Sequence, residues 1–146
     1  MIIAVDFDGT IVEHKYPKIG KEIPFAVNTL KRIQADHHTL ILWSVREGAL
    51  LKEAVDWCHE RGLDFYAVNS NHPEEYYDGD ELPAGPRKLK ADLFIDDRNL
   101  GGLPDWGEIY RIISEGLTFR EYYLNMSGNE ASKGRKSFWD LLKTSR

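Results

Sequence analysis

The chain has 146 residues, of which 19 are basic and 24 acidic, for a formal net charge of −5. This length is typical of one domain with a sizeable core, and the acidic balance argues against a nucleic-acid partner. The single cysteine, Cys58, excludes an internal disulfide and a cysteine-rich zinc site. The N-terminal apolar run is too short for a signal peptide, and no segment has the length of a membrane span. We therefore expect a cytoplasmic protein without a membrane partner.

Four short, mostly apolar runs have the pattern of buried parallel strands. They are residues 2–7, 39–43, 64–68 and 91–95. Helical patterns fill the first two intervals and follow the last strand. The first begins at Pro24, which suits the first helical position because the N–H that proline lacks has no partner there.

The second helical pattern ends at Gly62, which we expect to be a C-cap. A further helix is predicted from Trp106, and Thr118 with Glu121 has the pattern of a capping box for one more. This alternation predicts an α/β fold with a central parallel sheet, in which ligands bind beyond the carboxyl ends of the strands.

Two aspartates follow the first predicted strand, in the run Asp6-Phe7-Asp8-Gly9-Thr10. Because residues i and i+2 of a strand point the same way, Asp6 and Asp8 share a face. Two carboxylates this close repel each other unless a cation lies between them or one is protonated. The run therefore predicts a metal site, an acid–base site or both, and a solvated surface turn is the alternative.

Further polar residues follow or precede the other predicted strands. They are Ser44 and Arg46 after the second strand, Asp96 and Asp97 at the end of the fourth, and Lys88 and Lys90 before the fourth. Since parallel strands end at one edge, these side chains should meet the first pair of aspartates. Mg²⁺ prefers carboxylate oxygens, and phosphate prefers ammonium, hydroxyl and backbone N–H donors. The sequence thus predicts a magnesium site beside a phosphate site.

Four pieces of the chain, in this order, resemble the motifs of the haloacid dehalogenase superfamily of aspartate-nucleophile phosphohydrolases. They are the run Asp6–Thr10, Ser44 after an apolar strand, a lysine ahead of the last strand, and the pair Asp96-Asp97. The resemblance covers residues 1–116, and residues 42–48 and 91–98 also resemble a small, uncharacterised bacterial branch. It implies a three-layer, Rossmann-like fold.

The resemblance implies a magnesium-dependent phosphomonoester hydrolase that forms an aspartyl-phosphate. Asp6 would be the nucleophile, and Asp8 would act as general acid and base. Ser44 and Lys88 would hold the phosphoryl oxygens, and Gly9 would let backbone N–H groups approach them. The ligands of Mg²⁺ would be the Asp6 side chain, the backbone carbonyl of Asp8, Asp96 and Asp97.

Several assignments have two interpretations. Lys88 is preferred to Lys90 because in the resembling branch the lysine stands four residues before an aspartate, here Asp92. Arg46 either contacts a phosphate or carboxylate of the substrate or forms a structural ion pair. Asn69, at the end of the third strand, is a candidate substrate contact.

The intervals between the motifs have no room for the cap domain that most superfamily members carry. Residues 11–23 and 69–87 are too short, so we expect an open cleft that admits a macromolecular or small phosphorylated substrate. A neighbouring copy in a homo-oligomer would supply a lid. His14 and Tyr16, in the first interval, either meet an anionic substrate or are solvated.

We predict a hydrolase domain over residues 1–124 and a polar linker with a short helix over residues 125–146. Transfer of the phosphoryl group to an acceptor other than water remains open, and so do two functions of other classes. One is a receiver-like phosphoacceptor domain, although there the acidic pair comes early in the chain and the phosphorylated aspartate later. The other is a non-catalytic module that binds magnesium and a phosphorylated ligand.

Overall fold

The computed structural model describes residues 1–73 and 88–128. The chain divides into two compact units, Met1–Gly107 and Glu108–Arg146. The first unit contains the sheet and every predicted site residue. The predicted boundary after residue 124 stays a prediction.

Four parallel strands form the sheet in the order β3-β2-β1-β4. Their bounds are Ile2–Val5 (β1), Thr39–Leu42 (β2), Ala67–Val68 (β3) and Leu93–Ile95 (β4). The chain runs outward from β1 through β2 to β3, and β4 returns to the other side of β1. The order of strands therefore reverses between β1 and β4, which is where doubly wound sheets place their ligands.

The central strand is buried on both faces, as parallel strands usually are. Ile3, Ala4 and Val5 are all fully buried. On one face, Ala4 and Ile41 pack in a cluster that also contains Ala67 and Leu89, with Trp43 and Phe94 against it. This packing confirms the predicted α/β fold with a central parallel sheet.

The helices of the first unit are α1 (Ala26–Ala35) and α2 (Gly48–His59). Pro24 is not the first residue of α1. It lies in the preceding turn, because Phe25 has a positive φ of 70° that separates it from the helix. After the C-terminal end of α2 the chain turns at Gly62, which also has a positive φ of 70°. Glycine adopts this left-handed conformation easily, which is why it commonly follows the end of a helix.

The remaining helices are α3 (Trp106–Ser114) and residues 119–128. The predicted capping box is present, since the Thr118 N–H and hydroxyl both donate to Glu121 Oε2 at 2.8 Å. Residues 125–128 continue this helix, so the predicted linker does not begin at residue 125. Its remainder, and the predicted C-terminal helix, lie outside the described residues.

The interval after the first motif contains no helix, and its backbone forms only isolated bridges from Val12 to Asp8 and to Glu22. It therefore houses no cap domain, as predicted. Most of the second interval, residues 74–87, lies outside the described residues. Within the described parts of the chain, no helix is long and apolar enough to cross a membrane.

Candidate active site

The ends of β1 and β4 bring the first and last motifs together. The Asp6 N–H donates to the carbonyl of Ile95 at 3.0 Å, which extends the pairing of β1 and β4 by one residue. The Thr10 hydroxyl donates to Asp6 Oδ2 at 3.2 Å and accepts from the Asp97 N–H at 3.1 Å. Thr10 thus links two carboxylate-bearing segments that are far apart in sequence.

Three carboxylates converge at this edge of the sheet. Asp6, Asp96 and Asp97 each offer an oxygen, and these three oxygens lie within 4.8 Å of one another. Asp97 Oδ1 is buried and has no hydrogen-bond partner among residues 1–73 and 88–128. A buried acceptor without a donor is unfavourable, and hard cations are bound by carboxylate oxygens. The residues present therefore fit a divalent cation.

The electrostatics of the cluster also favour a positive charge. The pKa of Asp6 is raised to about 7, chiefly by burial and further by the charges of Asp96 and Asp97. Hydrogen bonds from Phe7 and Thr10 lower this pKa, but their effect is smaller. The pKa of Asp97 is raised by burial first and then by its hydrogen bond to Asp96. Full ionisation of this cluster is therefore unfavourable without a cation.

Gly9 lies beside Asp97 and has a positive φ of 93°. A Cβ at this position would be 2.3 Å from Asp97 Oδ2, so only glycine allows the carboxylate to come this close. The Gly9 N–H donates to the Val12 carbonyl at 2.7 Å. The Gly9 N–H is thus used within the loop, and the prediction that Gly9 lets other backbone N–H groups approach a phosphate stays a prediction.

Asp8 faces Arg46 instead of the other carboxylates. Arg46 Nε donates to Asp8 Oδ2 at 2.6 Å and Nη2 donates to Asp8 Oδ1 at 2.7 Å. Both side chains are buried, and the Asp8 hydrogen bond is the main cause that raises the pKa of Arg46. Of the two interpretations of Arg46, the structure shows the ion pair, and the substrate contact stays a prediction. The predicted metal contact through the Asp8 carbonyl stays a prediction.

Ser44 follows β2 and lines the cleft, although only 2% of it is exposed. Asn69 holds its backbone on both sides. Asn69 Oδ1 accepts from the Ser44 N–H, and Nδ2 donates to the Ser44 carbonyl, both at 2.8 Å. Asn69 is not among the described residues that line the cleft, and its side chain supports the backbone of Ser44. Its predicted contact with a substrate stays a prediction.

Lys88 and Lys90 are both exposed and flank the buried Leu89. Lys88 Nζ lies 5.9 Å from the centre of the Phe94 ring, and neither lysine lines the cleft among the described residues. The predicted phosphate contact of Lys88 stays a prediction.

The cleft has a volume of about 260 Å³. Its lining consists of Asp6, Asp8, His14, Tyr16, Trp43, Ser44, Val45, Asp96 and Arg98. His14 and Tyr16 thus reach the cleft, as one of their two interpretations required. Trp43, Val45 and Arg98 were not predicted, although each is adjacent in sequence to a predicted site residue.

No protein-family model matches the chain, and no curated protein matches it. A solved structure does, that of a conserved protein from Bacteroides thetaiotaomicron. The two sequences are 64% identical, and the match covers 84% of this chain and 97% of the other with a TM-score of 0.75. By this identity and coverage, the chain belongs to the family of that conserved Bacteroides protein.

Proposed function

We propose that the protein is a magnesium-dependent phosphomonoester hydrolase of the haloacid dehalogenase type, with Asp6 as the nucleophile. The observation that carries this proposal is the cluster of Asp6, Asp96 and Asp97, in which Asp97 Oδ1 is buried without a partner. The Ser44 hydroxyl, a donor for a phosphoryl oxygen, lines the same cleft.

Asp6, Asp96 and Asp97 would hold Mg²⁺, which prefers carboxylate oxygens and keeps several waters. When bound, the ion supplies positive charge that offsets the repulsion between the Asp6 carboxylate and the phosphoryl oxygens. Thr10 holds Asp6 Oδ2 at 3.2 Å, which leaves the other carboxylate oxygen of Asp6 to attack.

The reaction would have two steps. A carboxylate oxygen of Asp6 forms a bond to phosphorus while the bond to the leaving oxygen breaks, and that oxygen takes up a proton. Water then attacks the phosphorus of the aspartyl-phosphate and loses a proton, which releases inorganic phosphate and the Asp6 carboxylate. Ser44 would hold an equatorial phosphoryl oxygen through both steps.

Asp8 is the candidate for both proton transfers. Both of its carboxylate oxygens accept hydrogen bonds from Arg46. To act on the leaving oxygen, the carboxyl group would have to turn from Arg46 toward the substrate. Its role as general acid and base is therefore part of the proposal.

The cleft suits a phosphorylated small molecule or an accessible phosphate on a macromolecule, because no cap domain follows the first motif in residues 11–23. A second copy of the chain that supplies a lid, and a cytoplasmic location, stay predictions. A second candidate function is a non-catalytic module that binds magnesium and a phosphorylated ligand. The observation that favours it is the engagement of Asp8 by Arg46.

Phosphate release from phenyl phosphate and from a panel of phosphorylated metabolites tests the proposal. Wild type is compared with Asp6→Asn, with Mg²⁺ and with a chelator. We expect release only by wild type with Mg²⁺, because the amide of Asn is a poor nucleophile and does not form the phosphoryl bond.

The matched control is Asp56→Asn, the same change at an exposed aspartate that pairs with Lys52 on the surface of α2. Its activity should equal that of wild type. Equal activity of Asp6→Asn and wild type would contradict the assignment. Binding of Mg²⁺ and a phosphorylated ligand without turnover would favour the non-catalytic module.

A further inference from the structure

Arg46 is connected to more than its ion-pair partner. Besides its two bonds to Asp8, Arg46 Nη1 donates to the Pro17 carbonyl and Nη2 donates to the Lys18 carbonyl, each at 3.0 Å. The guanidinium carbon lies 5.3 Å from the ring centres of Phe7 and Tyr16, within the range of cation–π attraction. One fully buried side chain therefore holds Asp8, the backbone of residues 17–18 and the ring of Tyr16.

The first residue of the segment 16–18 belongs to the wall of the cleft. Tyr16 lines it and is half-exposed, and His14 lines it from the same loop. This loop and Asp8 are separated in sequence from Arg46 by the whole of α1 and β2, so only the folded protein connects them.

We propose that Arg46 is a positioning residue that ties residues 16–18, of which Tyr16 lines the cleft, to the Asp8 carboxylate, so that the two can move only together. The functional part of this inference rests on the proposed hydrolase activity. A substrate that displaces Tyr16 would thereby also change the position of Asp8, the candidate acid and base.

The geometry of the guanidinium explains why arginine is needed. Its planar fork presents donors in fixed directions, so that two can meet a carboxylate while others meet two carbonyl oxygens. Lysine has one ammonium group and cannot span these acceptors. Moving the segment would leave donors of the fully buried Arg46 without partners, which is unfavourable. The contacts therefore form and break as a group.

Limited trypsin digestion tests the anchoring without any need for activity. Cleavage after Lys15 and Lys18 is followed by mass spectrometry in wild type, Arg46→Lys and Asp8→Asn, all of which retain the same trypsin sites. We expect both variants to be cleaved there about tenfold faster or more, since hydrogen bonds to a buried charged group are lost. The control is Arg61→Lys, the same change at an arginine on the surface, whose Nη1 donates to the Trp57 carbonyl.

The decisive variant is Asp8→Asn, because Asp8 is not one of the two residues whose carbonyls Arg46 anchors. Faster cleavage after Lys18 in this variant supports the coupling. Faster cleavage in Arg46→Lys alone would show that the segment is anchored independently of Asp8 and would overturn the proposal. Unchanged cleavage in both variants would overturn it as well. If Arg46→Lys fails to fold, Asp8→Asn still decides.

The kinetic test is a double-mutant cycle of Arg46→Lys and Tyr16→Leu, read from KM and kcat for phenyl phosphate. If Arg46 acts through the segment, the double variant should show a smaller fold-increase in KM than the product of the fold-increases in the two single variants. Multiplicative effects would contradict the coupling. Absence of turnover in wild type would count against the proposed hydrolase function, while the digestion result would still decide the anchoring.

Discussion

At the scale of single residues, Gly9 shows why the first motif contains a glycine. The carboxylate of Asp97 occupies the space that a Cβ would need, and the backbone of Gly9 has a positive φ. Both constraints come from the approach of the last motif to the first. The glycine is therefore needed to assemble the carboxylate cluster.

Gly9→Ala should destabilise the protein by about 2–4 kcal/mol, because a side chain is disfavoured at positive φ and a buried contact is overpacked. Gly48→Ala is a matched control, since Gly48 also has a positive φ, of 51°, but nothing lies within 4 Å of its added Cβ. The control should lose only about 1–2 kcal/mol. Urea denaturation measures both. Equal losses in the two variants would contradict the crowding at Asp97.

Asp6 is the residue whose ionisation is most clearly disfavoured by its surroundings. Its pKa in the folded, metal-free protein is raised from 3.8 to about 7. The folded state therefore binds this proton more tightly than the unfolded state does. The stabilisation that protonated Asp6 contributes is fully present below the pKa of Asp6 in the unfolded chain. It is lost as the pH rises through the pKa of Asp6 in the folded protein.

Asp6→Asn should therefore stabilise the metal-free protein, and more so at high pH. One pKa unit corresponds to about 1.4 kcal/mol, so the stability advantage of Asp6→Asn should grow by about 2–3 kcal/mol between pH 5 and pH 8. Denaturation in the presence of a chelator measures it, with Asp56→Asn as the control. A constant difference between wild type and Asp6→Asn across this range would be inconsistent with the raised pKa.

At the scale of elements, the ends of β2 and β3 form one unit through Asn69 and Ser44. The side-chain amide of Asn69 makes a two-bond pair with the backbone of Ser44, beyond the last ladder pair of β2 and β3. Asn69 also has a positive φ of 51°, which asparagine tolerates better than most residues. The two strands thereby fix the backbone from which the Ser44 hydroxyl projects.

Asn69→Asp should lower kcat by about tenfold, because a carboxylate oxygen replaces the Nδ2 donor and faces the Ser44 carbonyl. Asn69→Gly retains the backbone conformation but loses the pair, and we expect a similar decrease in kcat. Asn71→Asp is the control, since Asn71 Oδ1 accepts from the Lys90 N–H outside the cleft. Wild-type kcat in both Asn69 variants would exclude the support role of Asn69.

At the scale of the whole molecule, the reversal of strand order between β1 and β4 creates the place for the site. The cluster of Asp6, Asp96 and Asp97 lies at this reversal, where the connections on either side leave the strand ends open. The sheet therefore assembles the charges before any ligand is present.

Mg²⁺ should stabilise the folded protein, because the assembled cluster exists only there. At a concentration 100 times the Kd, the free energy of unfolding should rise by about 2.7 kcal/mol. Thermal denaturation with Mg²⁺, compared with a monovalent salt of equal ionic strength, measures this effect. The double variant D96N/D97N should show no specific stabilisation. An equal response of this variant and wild type would argue against the site.

The sequence by itself was enough to predict the parallel sheet and the meeting of the two acidic motifs. The apolar runs of strand length are local properties of the sequence, and so are the positions of the acidic residues that follow them, Asp6, Asp8, Asp96 and Asp97. The carboxyl ends of parallel strands lie at one edge of a sheet, however the sheet is packed. The capping box at Thr118 was predictable for the same reason, since its partners are three residues apart.

Only the tertiary structure decided which partner each site residue has. Asp8 pairs with Arg46, Asn69 holds Ser44, Gly9 makes room for Asp97, and Lys88 lies against Phe94. The first three of these contacts join segments that are distant in sequence. Their geometry depends on strand order, on backbone conformation at positive φ and on which face a side chain occupies. A pattern of residue types does not contain these quantities, because they arise when the segments pack together.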